Sequence, residues 1–285
     1  MSTSISKSKQ WLAPVLEDLH SYYWSPDGPA GRTKGDMVTL GKGDWRQALS
    51  AFYGSYAFER MGAPPAWGPI ARGILDRLPA TLAVSDVDRV AWDEFTRRVQ
   101  KPNVRVNPLS TAGSKPPVTR FIVNLGDSGH NIVRWAANEL SSGSASTAWR
   151  TLQMLQAIGP KIGSFFLRDV ASAHEVDEYK LDDRRSIFPV DLWVRRGIAT
   201  LSGQHTASLG DLEVARTGLD IADELGVTVA SLDAGLWVLG ARLARSERQM
   251  AAALEDRTEL KKLVERELRQ AQSLAGILKS IRQEL

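Results

Sequence analysis

Residues 155–170 read LQAIGPKIGSFFLRDV. One helix is predicted to end near Gln156, the chain to turn through Ala157, Ile158, Gly159 and Pro160, and a second helix to start near Lys161. Proline is favourable in a first helical turn, because the N–H it lacks would have no intrahelical partner there. The amides that follow, with the positive end of the helix dipole, face out of the turn and suit a phosphate oxygen. Two helices joined by such a corner grip a nucleic-acid backbone without reading its bases. Ile158, Gly159, Pro160 and Gly163 are therefore the candidate backbone-contacting residues.

Outward from this hairpin the chain reads as helix. Apolar residues fall at helical spacing in 44–61, 67–78, 87–99, 130–140, 148–158, 211–225 and 228–245. Ser146 or Thr147 is placed to cap the helix leading into the hairpin. Residues 101–118 are rich in proline and predict a loop, and 171–187 a charged connector. RFIVNL at 120–125 is the best strand candidate. From Arg242 to Leu285 a long charged helix is predicted, with Leu260, Leu263, Leu274, Ile277 and Ile281 on one stripe. Glu267 and Gln270 interrupt that stripe, which argues for packing back on the body or on a partner helix rather than for a sustained coiled coil.

The chain has 285 residues, no cysteine and a net charge of only +3. Without cysteine, disulfides, thiolate zinc sites and cysteine-ligated iron–sulfur clusters are excluded, and a cytoplasmic protein is expected. No apolar run reaches the roughly 18 residues of a membrane span, so no membrane role is expected. Residues 51–120 hold ten Lys/Arg against six Asp/Glu, so a polyanionic partner is permitted without a broad basic face. His174, Asp177, Asp182 and Asp183 match no standard metal cage, and no metal is expected there.

The run IGPKIGSFFLRD, followed by PVDLWV at 189–194, resembles the helix–hairpin–helix DNA glycosylases. Gly159 matches the second hairpin glycine of that superfamily, Lys161 the lysine of members that also cut the strand, and Asp191 the essential aspartate. Ala157 stands where the first hairpin glycine is usual, and Gln156 where a proline precedes it. The 30-residue interval from Lys161 to Asp191 is similar to that of the archaeal-type 8-oxoguanine DNA glycosylases. That resemblance implies a base pocket of Phe165, Pro189, Asp233 and Trp237, with Trp92 a further contact. The fold it implies is all-α, two helical subdomains with a cleft between them, plus a long C-terminal helix. The glycosylase domain then spans 1–245, with its hairpin motif at 148–173, and 246–285 is a helical extension. No cofactor is implied beyond a monovalent cation at the hairpin backbone, and the partner is double-stranded DNA carrying a modified base.

The chemistry explains these residue types. Breaking the C1′–N bond puts cationic character on the sugar, which a carboxylate such as Asp191 stabilises in a dry site. A neutral Lys161 amine attacks C1′ and gives a Schiff base, from which the strand is cut by β-elimination. Burial of Lys161 among apolar residues and its place at a helix start both favour the neutral amine. The extruded base needs flat surfaces, which Phe165 and Trp237 supply. Simpler roles stand beside these: Lys161 on a phosphate, Asp191 as a helix cap, Phe165 and Trp237 as core. Arg195 is expected on a phosphate. The target is 8-oxoguanine in repair or, alternatively, a hypermodified base of phage DNA in defence. A non-catalytic DNA-binding module is the third possibility.

Overall fold

The computed structural model describes residues 9–59, 63–205 and 210–284, with side chains described through residue 272. Fourteen α-helices and no strand occur among these residues, so the protein is all-α. The chain divides into two compact units, Trp24–Pro189 and a discontinuous one built from Met1–Tyr23 and Val190–Leu285.

The Trp24–Pro189 unit begins with α2 (Lys34–Lys42) and α3 (Trp45–Phe52), which follow α1 in the chain (Leu12–Tyr23). Thr33 and Asp36 form a capping box at the start of α2, and the Asp44 carboxylate accepts from the Arg46 amide at the start of α3. A five-residue π-helical turn, Tyr53–Ala57, continues α3. Then come α4 (Trp67–Leu75), α5 (Val87–Arg98), α6 (Val118–Val123), α7 (Ile132–Ser141), α8 (Ala145–Gln153) and α9 (Pro160–Ala173). The predicted strand at 120–125 is thus helix α6 in its first residues: Val118 and Ile122, four apart, are fully buried while Arg120 is exposed. Three- and four-residue spacing wins over the β-branched composition because only one stripe of this segment meets the core.

Rings make that core. Phe52 meets Phe166 edge-on at 4.9 Å, Phe58 stacks on Phe95 at 6.2 Å, and Trp67 sets its edge on Phe95 at 5.7 Å. Each such pair contributes about 0.5–1.5 kcal/mol beyond the burial of its area.

Helix α8 begins at Ala145, so Ser146 and Thr147 lie inside it rather than at its cap. Its first turn is satisfied from the connector instead. The Asp182 carboxylate accepts from the Ser146 amide at 2.9 Å and from the Ser146 hydroxyl at 2.5 Å. Burial pushes the pKa of Asp182 up, but the bonds from Ser146 and from the Asp183 amide outweigh it and hold the carboxyl below its ordinary value. The other two connector aspartates also cap: Asp177 accepts from the Tyr179 amide and Asp183 from the Arg185 amide. No group of three or more His, Asp or Glu able to hold a metal occurs among the described residues.

The second unit pairs α1 with α12 (Val229–Val238), and adds α10 (Leu192–Ser202), α11 (Asp211–Leu225), α13 (Glu247–Glu255) and α14 (Arg257–Glu284). Nine of the ten residues of α12 are buried, the mark of a helix enclosed on all sides. Gly235 lets α1 close on it: a Cβ there would lie 3.0 Å from the Leu16 carbonyl oxygen. At Gly240, in the π-helical turn Leu239–Ala244, a Cβ would lie 2.6 Å from the Trp193 ring. No single helix among the described residues is long and apolar enough to cross a membrane.

The C-terminal stretch is therefore three pieces, not one helix, with the break between α13 and α14 at Asp256. Leu260 and Leu263 are buried within this unit, as packing back on the body requires. Leu274, Ile277 and Ile281 lie outside the described side chains. The polar interruptions have a use: Glu267 and Gln270 both accept from the Arg245 guanidinium, at 2.8 and 3.1 Å.

Candidate functional site

The hairpin forms as a left-handed step followed by an extended residue. Ala157 has φ +60°, the region in which glycine is normally placed, and Gly159 caps α9 in extended conformation with φ −99° and ψ 176°. The backbone shape that a glycine at 157 would favour is thus kept with alanine in place. What holds it is the neighbouring loop. The Gln156 amide donates to the Pro116 carbonyl at 2.8 Å, and its side chain donates to the Val104 carbonyl at 2.8 Å. A Cβ on Gly113 would lie 2.3 Å from the Gln156 side chain, so the loop closes on Gln156 because residue 113 is glycine. On the other side, the Trp149 indole N–H donates to the Ser164 hydroxyl at 2.9 Å and ties α8 to α9.

A left-handed alanine costs about 1 kcal/mol. Ala157→Gly is therefore expected to stabilise the protein by roughly 0.5 kcal/mol after the greater chain entropy of glycine is counted. Ala157→Val, with its branched Cβ, is expected to destabilise by about 2 kcal/mol. Urea midpoints of the two variants check this, and equal midpoints would contradict the left-handed assignment.

On one side of the hairpin the charge among the described residues is of one sign. Arg105, Gly113, Lys115, Gln156, Ala157 and Gly159 border one shallow depression, with no acidic residue on it. Residues 95–126 contain no Asp or Glu at all. Within that stretch Arg97 and Arg98 pair with Glu94, and Arg120 with Asp88. Arg105 and Lys115 are exposed beside the hairpin, the Lys115 ammonium donating to the Gln153 carbonyl at 2.6 Å. No side chain caps α9, whose first residue is Pro160.

Lys161 is the second residue of α9 and is exposed, contrary to the burial expected for it. The apolar face of α9 points the other way, through Ile162, Phe166, Leu167 and Val170. Lys161 instead lines a recess of roughly 540 Å³, within the range of small-ligand sites. The π-helical turn supplies much of its wall with Tyr53, Gly54, Ser55 and Tyr56, and Phe58, Glu59, Gly68 and Pro69 add to it. The sequence reading assigned none of these residues to a site, since a π-helical turn leaves no signature in a 3.6-residue periodicity.

Phe165, one turn after Lys161, is half-buried. Its ring meets Tyr56 edge-on at 5.4 Å, and the Arg168 guanidinium lies 4.5 Å from its centroid. Beneath it, Arg168 and Asp169 form a buried ion pair: Oδ1 of Asp169 accepts from Nε and Nη2 of Arg168 at 2.9 and 2.6 Å, and Oδ2 accepts from the Tyr56 hydroxyl at 2.9 Å. Gly163 packs on Leu152 and Trp149 of α8. Pro189 is buried. Trp92, half-buried and stacked on Phe95 at 6.3 Å, borders a different depression with Asp86, Asp88, Arg89 and Arg120.

The remaining predicted residues belong to the discontinuous unit. Asp191 caps α10, Oδ1 accepting from the amides of Trp193 and Val194 at 2.8 and 2.9 Å, so the simpler role assigned to it is realised. Arg195 pairs with Asp211, an acid rather than a bare phosphate site. Asp233 is buried on α12, and Trp237, one turn later, is half-buried with the Arg242 guanidinium 5.9 Å from its ring. No family model, curated protein or solved structure matches the chain.

Proposed function

We propose that this protein is a DNA glycosylase with AP-lyase activity, built on the helix–hairpin–helix plan, that excises a modified base from double-stranded DNA, 8-oxoguanine being the first candidate. The observation that carries the reading is the placement of Lys161: an accessible amine one residue into a proline-led helix, at the edge of an aromatic-walled recess, beside an acid-free basic hairpin. In this reading the hairpin amides with Arg105 and Lys115 hold phosphates. Phe165, beside Lys161 on α9, offers the base a ring, and Lys161 attacks C1′. No redox cofactor takes part.

The exposure of Lys161 favours one second reading, a hairpin that grips DNA backbone without catalysis. Borohydride separates the two. Duplexes carrying single modified bases, 8-oxoguanine first, are incubated with the full chain and borohydride. The enzyme reading expects a covalent adduct that Lys161→Ala loses, together with base release. Binding with neither adduct nor base release from any duplex leaves the backbone-gripping module, and an adduct that persists in Lys161→Ala overturns the role of that lysine.

A further inference from the structure

We propose that Glu59 is the general base of the strand-cutting step, an inference that rests on the lyase reading above. It starts from the recess that Lys161 lines. Among the described residues of its wall, Glu59 is the one carboxylate and Lys161 the one amine. The other polar groups there are unsuited to accepting a proton. The Tyr53 hydroxyl donates to the Pro108 carbonyl at 3.1 Å, and burial pushes its phenol far above the ordinary value. The Tyr56 hydroxyl donates to the buried Asp169 carboxylate, and the Ser55 hydroxyl accepts from Arg32. Glu59 is exposed and lies two residues beyond the π-helical turn, a distortion that recurs at functional sites. Asp191, the carboxylate assigned to the sugar cation, already gives one oxygen to two backbone amides. Two carboxylates with separate duties fit the two chemical steps better than one.

The step balances as follows. The Lys161 amine adds to the C1′ aldehyde of an abasic deoxyribose, and water leaves as the Schiff base forms. Glu59 then takes the C2′ proton. The C2′–H electron pair forms the C2′=C3′ double bond, and the C3′–O bond breaks with its pair leaving on the 3′-phosphate. Water hydrolyses the Schiff base, returns the amine and frees the unsaturated aldehyde, while Glu59 passes its proton to solvent.

The test uses the full chain and a duplex with one abasic site, which needs no knowledge of the base. Adduct formation is read with borohydride and strand cleavage without it. Wild type is expected to do both. Glu59→Gln is expected to form the adduct at close to the wild-type rate and to cleave about 100-fold more slowly, with Glu59→Asp recovering part of the rate. Cleavage by Glu59→Gln at the wild-type rate overturns the inference and leaves the lyase reading intact. So does loss of adduct and cleavage together in a variant that melts like wild type, since that places Glu59 in an earlier step. A wild-type protein that forms no adduct overturns the lyase reading itself, and this inference with it.

Discussion

Asp169→Ala is expected to cost about 3–5 kcal/mol, a large share of the roughly 5–15 kcal/mol that holds a domain folded. The reason is what remains behind. Arg168 and Asp169 each keep only 2% of their side-chain surface in water. Removing the carboxylate takes the Asp169 ion-pair partner from a buried guanidinium and an acceptor from the Tyr56 hydroxyl. Truncating one partner of a buried pair therefore costs far more than the pair contributes against an apolar replacement. The double variant Arg168→Met, Asp169→Leu removes both charges at once and is expected to lie within about 1.5 kcal/mol of wild type. Urea denaturation of both proteins decides it. A single variant that loses under ~1 kcal/mol would show that water reaches Arg168. The same pair positions Phe165, whose ring lies against the Arg168 guanidinium, so the double variant also reports whether Phe165 acts through that contact.

The hairpin was legible because its signals are local. Gly159-Pro160 breaks one helix and starts the next, and the 3.6-residue pattern on either side needs no partner to be read. What escaped is held by contacts distant in sequence. Residues 12–23 carry no predicted element, yet they form α1, because its apolar residues Leu12 and Leu16 are covered by a helix more than 200 residues further on. The cap of α8 comes from Asp182, 36 residues after Ser146, so the local hydroxyls that looked like caps were not needed. Lys161 was assigned burial from its apolar neighbours, but its α9 position places it off the apolar stripe, a matter of angle around the helix. The wall facing it was invisible for a related reason: a π-helical turn shifts Tyr53 and Tyr56 out of the register that α3 establishes.

Asp191 has one observed role, the cap of α10, and one proposed role at the sugar, and a single substitution can pull them apart. As the cap of α10 it needs an oxygen acceptor, which asparagine supplies as well as aspartate does. As the stabiliser of a sugar cation it needs the negative charge, which asparagine lacks. Asp191→Asn is therefore expected to change the unfolding free energy by less than about 0.5 kcal/mol. On the duplex that wild type processes fastest, it is expected to slow base release by ~100- to 1000-fold. Asp191→Ala is expected to lose both, with a further cost of about 1 kcal/mol in stability. Denaturation and single-turnover base release, measured on the same preparations, give the two numbers. Base release by Asp191→Asn at the wild-type rate, with the cap intact, would reduce Asp191 to a helix-capping residue. The Schiff-base role proposed for Lys161 does not share that risk, because adduct formation on a pre-formed abasic site asks nothing of a charge at C1′ during base loss.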